Sequence, residues 1–134
     1  MLTKLSKEIN EDVRKKGFWD KMNQAINLTK DQVRFIGLHK HIKDAFIAQK
    51  LVLIHTEISE AVEATRLDNY EINGYGLFEK DSFADELADS IIRILDLCGE
   101  LDIDIQKQID WKLEKNRQRE FMHGKNSWGL NYER

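Results

Sequence analysis

The chain has 134 residues, contains seven glycines and no proline, and is 34% charged. A chain of this length is expected to form one domain, and such a composition favours long helices over a sheet protein with many turns. The net charge of −3 argues against a nucleic-acid partner that is recognised through bulk positive charge. Cys98 is the only cysteine, which excludes an intramolecular disulfide and fits a buried thiol in a reduced, cytoplasmic protein.

The first residues form an amphipathic pattern. Four apolar residues recur there at helical spacing: Leu2, Leu5, Ile9 and Val13. With Gly17 as a stop signal, this spacing predicts a helix over residues 2–16. The alternation of charged residues with leucine is not that of a signal peptide, and no stretch of the chain approaches the roughly 20 apolar residues that a membrane span requires. We therefore expect no membrane partner.

The middle of the chain contains the strongest helical pattern, from about Ile42 to Asp68. Its predicted core face is an apolar stripe that comprises Ile47, Leu51, Ile54, Ile58, Ala61, Val62 and Thr65. The preceding segment, residues 20–38, is ambiguous, because Thr29 or Asp31 can cap a short helix but Gly37 interrupts the pattern.

A further helix is predicted after a loop over residues 69–80. It begins at a cap, either Asp81 or Ser82, and it ends near Gly99. Its predicted core face comprises Phe83, Leu87, Ile91, Ile94 and Cys98.

The last predicted helix begins after Asp102 or Asp104 and runs to about Met122. Residues 123–134, which contain two glycines, form an irregular tail. The sequence thus predicts an all-α bundle of about four to five helices, with one domain over residues 1–134 and a core at about 42–122.

Two acidic pairs stand out on the two central helices. Glu57 and Glu60 are three residues apart, and so are Glu86 and Asp89. Residues three apart are neighbours on a helix surface, so each pair points two carboxylates the same way. The intervening residues 61–85 allow one helix to end and the next to run back beside it. Four carboxylates that converge in one cleft predict a site for a hard cation, Mg²⁺ first and Mn²⁺ second.

A single acidic pair on a helix is usually part of a solvated face. Two pairs on neighbouring helices favour a cation site, because like charges at close range are costly unless a cation compensates them.

The last helix carries a basic strip. Four side chains project within about 100° of one another on a regular helix: Lys112, Lys115, Asn116 and Arg119. His123 and Lys125 follow just beyond it. Such a strip is suited to phosphate oxygens, with the arginine as a bidentate fork. The alternative is an ordinary solvated face that Glu114 and Glu120 balance.

Together these motifs, ExxE, a spacer, ExxD and then K-x-x-K-N-x-x-R, resemble those of the all-α nucleoside triphosphate pyrophosphohydrolases, the MazG-like group. The resemblance runs from about Lys15 to Lys125. It is most specific at LIHTEISEAVEA, DELADSIIRILDL and KLEKNRQREFMHGK, and it includes KKGFWDK near the start. Residues 21–42 fit less well and are interpreted as an insertion.

The resemblance implies a helical bundle that assembles as a dimer or a dimer of dimers. It also implies an enzyme, a Mg²⁺-dependent nucleotide pyrophosphohydrolase that cleaves (d)NTPs between the α- and β-phosphates in nucleotide-pool house-cleaning. Carried over, the catalytic metal ligands are Glu57, Glu60, Glu86 and Asp89. The substrate-binding residues are Lys112, Lys115, Asn116, Arg119 and, from the N-terminal motif, Trp19.

One departure concerns Thr56, which stands where many members of the family have a second glutamate. Thr56 is not a carboxylate base or ligand, and Glu63 and Asp85 are the possible substitutes.

Several aromatic residues are candidates for stacking on a nucleotide base, and each has core or interface packing as its alternative. They are Phe18 and Trp19 near the start, and Tyr70, Tyr75 and Phe78 in the loop. A different function also fits the sequence: a non-catalytic helical oligomer that binds nucleotides or nucleic acid through residues 107–125.

Overall fold

The computed structural model describes residues 1–30, 36–69 and 80–118. Within these ranges the chain forms five α-helices and no strand. They are α1 (Leu2–Lys15), α2 (Asp20–Lys30), α3 (Ile36–Arg66), α4 (Phe83–Glu100) and α5 (Ile105–Arg117). The prediction of an all-α fold with four to five helices is confirmed.

The chain divides into two compact units, residues 1–103 and residues 104–134. The first unit contains α1 to α4, and the second contains α5. The prediction of one domain over residues 1–134 stays a prediction. None of the described helices is both long and apolar enough to cross a membrane.

The helix ends follow the local signals in most cases. Gly17 ends the first helical segment in a left-handed conformation, φ +81°, which a residue with a side chain rarely adopts. Ser82 caps α4 by accepting a hydrogen bond from the backbone N–H of Asp85, and Asp104 caps α5 in the same way. α3 begins earlier than predicted, because Gly37 lies inside the helix instead of ending it.

α4 is the central helix of the first unit. Both α1 and α3 pack against it, and α2 packs against α3. The core consists of Trp19, Met22 and Leu97, with Val13, Ile26, Phe46, Ile54 and Leu101 packed around them. Cys98 is buried as predicted, and this burial raises the pKa of its thiol.

The predicted core faces of the two central helices are largely wrong. Leu87, Ile91 and Ile94 on α4 are exposed, and so are Leu51, Ile58 and Val62 on α3. Ala61 on α3 and Cys98 on α4 are buried as predicted, and the other buried positions include small or polar residues that were not predicted: Ala64 on α3, and Glu86 and Ser90 on α4. Small side chains let the two helices approach closely, whereas the larger apolar side chains remain on surfaces that no described residue of the chain covers.

Asp96 connects the first unit through a buried network. Its Oδ1 accepts hydrogen bonds from Asn10 Nδ2 at 2.8 Å and from Trp19 Nε1 at 3.0 Å. Its Oδ2 lies 3.5 Å from Lys50 Nζ, and that ammonium is 4.0 Å from the centroid of the Trp19 ring. One carboxylate on α4 therefore fixes α1, α3 and the turn between α1 and α2.

Gly99 lies where α1 and α4 are closest. A Cβ atom at this position would lie 2.5 Å from the backbone oxygen of Ser6 and 2.6 Å from the Cβ of Asn10. The backbone oxygen is unable to move aside without displacing α1. Only glycine fits at this contact.

We expect Gly99→Ala to lower the free energy of unfolding by about 1–3 kcal/mol, as overpacking typically does. Helix propensity alone would change stability in the opposite direction, by roughly 1 kcal/mol. The measurement is urea denaturation followed by circular dichroism. A variant as stable as the parent, or more stable, would show that α1 does not approach α4 this closely.

Candidate metal centre

Three of the four predicted acidic residues meet between α3 and α4. Each of Glu57, Glu60 and Glu86 offers a carboxylate oxygen, and these oxygens all lie within 4.8 Å of one another. The first two lie one turn apart on α3, and the third lies in the first turn of α4. We call these three residues the acid triad. Its members differ in exposure: Glu57 and Glu86 are buried, whereas Glu60 is exposed.

Glu57 is only 6% exposed and has a basic partner. Arg93 forms an ion pair with Glu57, with Nε 2.7 Å from Oε1. This contact joins α3 to α4 and gives the buried carboxylate a counter-charge. Sequence reasoning did not anticipate it, because the rule for neighbours three or four residues apart applies within one helix and not between two.

Glu86 is 4% exposed, and no lysine or arginine among the described residues forms an ion pair with it. Burial raises the pKa of its carboxyl group, and the negative charges of Glu60 and Glu57 raise that pKa further. Asp85 and Asp89 contribute to the same shift. The site therefore disfavours a third negative charge unless a cation is present.

A second acidic group, formed by Asp81, Asp85 and Glu86, is explained by the start of α4. Asp85 Oδ2 accepts a hydrogen bond from the backbone N–H of Asp81 at 2.9 Å. Asp81 also pairs with Lys80 at 2.8 Å. These local partners make Asp85 part of the helix start, so it is a poor substitute for a missing catalytic glutamate.

Thr56 itself and the other possible substitute for the missing glutamate also have local partners. Thr56 donates its hydroxyl hydrogen to the backbone oxygen of Val52 at 3.1 Å, within the same helix. Glu63, the other proposed substitute, pairs with Arg66 on the exposed surface of α3 at 3.1 Å. The structure therefore brings neither Thr56 nor Glu63 into the acid triad.

Asp89, the fourth predicted ligand, lies outside the acid triad and is exposed. It lines a neighbouring cavity of about 190 Å³, which we call the side cavity. The side cavity is also lined by Val13, Phe18, Lys50, Ile92, Arg93 and Asp96. Arg93 thus contacts the acid triad and lines the side cavity at the same time.

Trp19, predicted to contact the substrate, is 1% exposed and belongs to the core. Its ring contacts the ammonium group of Lys50, and its indole N–H donates a hydrogen bond to Asp96. Contact of Trp19 with a substrate stays a prediction. Its neighbour Phe18 is 69% exposed and stands on the rim of the side cavity.

The basic strip is described only in part. Lys112, Lys115 and Asn116 are exposed on α5, and Lys115 Nζ lies 4.9 Å from the centroid of the Trp111 ring. The predicted residues outside the described ranges are Arg119, His123 and Lys125, and the loop aromatics Tyr70, Tyr75 and Phe78. Phosphate binding by the strip stays a prediction.

The chemistry of the acid triad fits a hard divalent cation. Its donors are carboxylate oxygens, which Mg²⁺ and Mn²⁺ prefer over nitrogen and sulfur ligands. Ser90, one turn after Glu86 on α4, has a buried hydroxyl group with no hydrogen-bond partner among the described residues. A buried polar atom without a partner is uncommon, and here it accompanies two buried carboxylates.

The chain was compared with known families, curated proteins and solved structures. It matches no protein-family profile, no curated protein sequence and no solved structure.

Proposed function

We propose that this protein is a Mg²⁺-dependent nucleoside triphosphate pyrophosphohydrolase of the MazG-like type, which converts (d)NTPs to nucleoside monophosphates and pyrophosphate. The observation that carries the proposal is the acid triad, in which Glu57, Glu60 and Glu86 converge from two helices. Their positions coincide with three of the four acidic positions of the motifs that the chain shares with that group.

The cost of the acid triad supports a cation-binding role. Two buried carboxylates and a third nearby repel one another, and only Glu57 has a basic partner among the described residues. Repulsion between these charges lowers the free energy of unfolding, so a purely structural role does not account for them. A divalent cation removes this cost.

The three residues of the acid triad differ in exposure, and this difference suits them to different roles. A bound Mg²⁺ neutralises charge on a triphosphate and makes a water molecule more acidic. Glu57 and Glu86 are buried and held by packing, which suits ligands of fixed position. Glu60 is exposed, so water and substrate reach its carboxylate. We assign Glu60 the task of orienting the attacking water and accepting its proton.

The side cavity supports a place for the nucleoside. Phe18 offers an exposed aromatic face at the rim, and Val13 and Ile92 offer apolar surface. A nucleobase combines a flat apolar face with polar edges, which fits such a lining. In this proposal Phe18, one of the predicted stacking candidates, takes the stacking role.

Assembly into a dimer or a dimer of dimers belongs to the same proposal. Several large apolar side chains of α3 and α4 are exposed, and exposed apolar surface often marks an interface. They include Leu51, Ile58 and Val62 on α3, and Leu87, Ile91 and Ile94 on α4. A second copy of the chain would cover this surface.

We expect light scattering at micromolar concentration to give a mass of at least twice the chain mass of 15.8 kDa. Ile91→Arg places a charge on the apolar surface of α4 and should shift the protein to monomers. Leu28→Arg is the matched control, because Leu28 is an exposed apolar residue on α2 and not on α3 or α4. A monomeric parent, or an oligomer that Ile91→Arg leaves intact, would contradict the proposed assembly.

The catalytic part is tested with a panel of canonical and damaged (d)NTPs, by measuring loss of triphosphate on an anion-exchange column. We expect turnover with Mg²⁺ or Mn²⁺, none with excess EDTA, and none for Glu60→Gln. Turnover that survives excess EDTA would rule out the metal. Nucleotide binding without turnover on any member of the panel would instead favour the non-catalytic binding protein.

A further inference from the structure

Arg93 occupies a position between two sites. Its Nε lies 2.7 Å from Glu57 Oε1, in the acid triad. The Arg93 side chain is 42% exposed, and the residue lines the side cavity together with Asp89 and Lys50. It is the one basic residue, among those that the structure describes, that pairs with a member of the acid triad.

We propose that Arg93 is an exchangeable counter-ion, which neutralises Glu57 until a divalent cation binds and then turns into the side cavity to hold the phosphates of the substrate. This inference rests on the proposed function, because it concerns the same cation site. It assigns Arg93 two successive partners, first a carboxylate of the protein and then an anionic ligand.

The first half of the exchange follows from electrostatics. A divalent cation that binds Glu57 stands within a few ångströms of the Arg93 guanidinium. Like charges so close together in a poorly solvated site repel each other strongly. Glu57 therefore does not favourably bind the divalent cation and Arg93 at the same time. The divalent cation displaces the Arg93 side chain.

The second half follows from the surroundings of Arg93. Asp89 precedes it by four residues on α4, so the two side chains are neighbours on the helix surface. Asp89 has no ion-pair partner within the described residues, so it can receive the guanidinium in the side cavity. Arg93 can therefore leave Glu57 and still contact a carboxylate, that of Asp89.

The nature of the side chain indicates its second partner. A guanidinium group presents a planar fork of donors that matches two phosphate oxygens, and it keeps its charge at any physiological pH. A freed Arg93 adds its positive charge to a cavity in which Lys50 is already paired with Asp96. In this proposal the guanidinium itself contacts an anionic ligand such as the phosphates of a nucleotide.

The test compares two affinities in Arg93→Met, which keeps much of the side-chain length and removes the charge. The first is the Kd for Mn²⁺ alone, measured by calorimetry without nucleotide. The second is the Kd for an α,β-imido nucleoside triphosphate in saturating Mn²⁺. We expect Mn²⁺ to bind about tenfold more tightly and the triphosphate analogue about tenfold more weakly, since a charge-assisted contact is lost in each case.

Two variants act as controls. Arg66→Met removes an exposed arginine that pairs with Glu63 on the same unit, and both affinities should stay at the parental values. Arg93→Lys keeps the charge but not the fork, so Mn²⁺ affinity should remain within about threefold of the parent while the triphosphate analogue still binds more weakly. Arg93→Lys also preserves the test if Arg93→Met does not fold.

The outcomes separate this inference from the proposed function. If neither the parent nor Arg93→Met binds Mn²⁺, the cation site itself is wrong. If both bind Mn²⁺ with equal affinity, or the variant binds it more weakly, Arg93 is a structural partner of Glu57 and the exchange is wrong. A purely structural role of Arg93 would not change the affinities for Mn²⁺ and for the triphosphate analogue in opposite directions.

Discussion

Glu86→Gln is expected to abolish turnover while it stabilises the protein in the absence of metal at neutral pH. The change removes a negatively charged ligand from the acid triad and keeps the size of the side chain. Loss of a residue that merely supports a metal ligand costs about 10–100-fold in activity, so loss of a ligand should cost at least about hundredfold.

The gain in stability follows from the direction of the pKa shift. The folded protein raises the pKa of Glu86 above its ordinary value of 4.5, mainly through burial. The contribution of this group to stability is therefore fully present below pH 4.5 and is lost as the pH rises through the folded-state pKa. Glutamine does not ionise, so the variant avoids this loss of stability as the pH rises.

The measurement is thermal unfolding in EDTA across the range from pH 5 to pH 8, for the parent and for Glu86→Gln. The difference in Tm should grow in favour of the variant as the pH rises. Glu63→Gln is the matched control, because Glu63 is an exposed glutamate of α3 outside the acid triad. It should leave both turnover and the pH profile unchanged. Near-parental turnover in Glu86→Gln would mean that the acid triad is not the catalytic site.

Asp96→Ala should cause the largest loss of stability in the first unit. It removes the acceptor of Trp19 Nε1 and Asn10 Nδ2 and the anionic partner of Lys50 in one step. Breaking a buried ion pair from one side typically costs about 3–5 kcal/mol, because the remaining charge stays buried. This is a large fraction of the 5–15 kcal/mol that is typical of a folded domain.

Guanidinium denaturation measures this loss. Asp96→Asn keeps an oxygen acceptor for Trp19 and Asn10 and removes only the charge, so we expect a smaller loss than for alanine. Asp44→Ala removes an exposed aspartate of α3 that pairs with Lys40, and its effect should be small compared with that of Asp96→Ala. A loss below about 1 kcal/mol for Asp96→Ala would show that the network contributes little.

Periodicity and capping residues account for most of the helices. The spacing of Leu2, Leu5, Ile9 and Val13 with a stop at Gly17 predicted α1 to within one residue at its end. Ser82 and Asp104 were among the predicted caps and do cap their helices. The limits of α2 and the start of α3 were not predicted, because packing of α2 on α3 stabilises a segment whose own pattern is weak.

Periodicity identified the apolar faces of α3 and α4 but not their surroundings. It placed Leu87, Ile91 and Ile94 in the core, and the structure leaves them exposed. A hydrophobic pattern shows which face avoids water, but it does not show whether the same chain or a second copy covers that face. The buried face contains Ala61, Ala64 and Ser90, whose small size permits close packing and carries little periodic signal.

The candidate site was predicted in part, because the spacing within α4 also placed Asp89 beside Glu86, and Asp89 lies outside the acid triad. The i, i+3 rule placed Glu57 beside Glu60, and the short connection brought Glu86 to them. The contact of Glu57 with Arg93 depends on the register between two helices, and the burial of Trp19 next to the exposed Phe18 depends on the turn at Gly17. Neither the register between the two helices nor the conformation of this turn follows from the spacing of residues along the chain.

The central claim is tested most directly by identifying the products of one reaction. A nucleoside triphosphate that the protein consumes in the presence of Mg²⁺ is followed by phosphorus NMR, which distinguishes pyrophosphate from orthophosphate. Cleavage between the α- and β-phosphates predicts nucleoside monophosphate and pyrophosphate in equal amounts, and no products with Glu86→Gln. Nucleoside diphosphate and orthophosphate, or the same products from Glu86→Gln, would contradict the account.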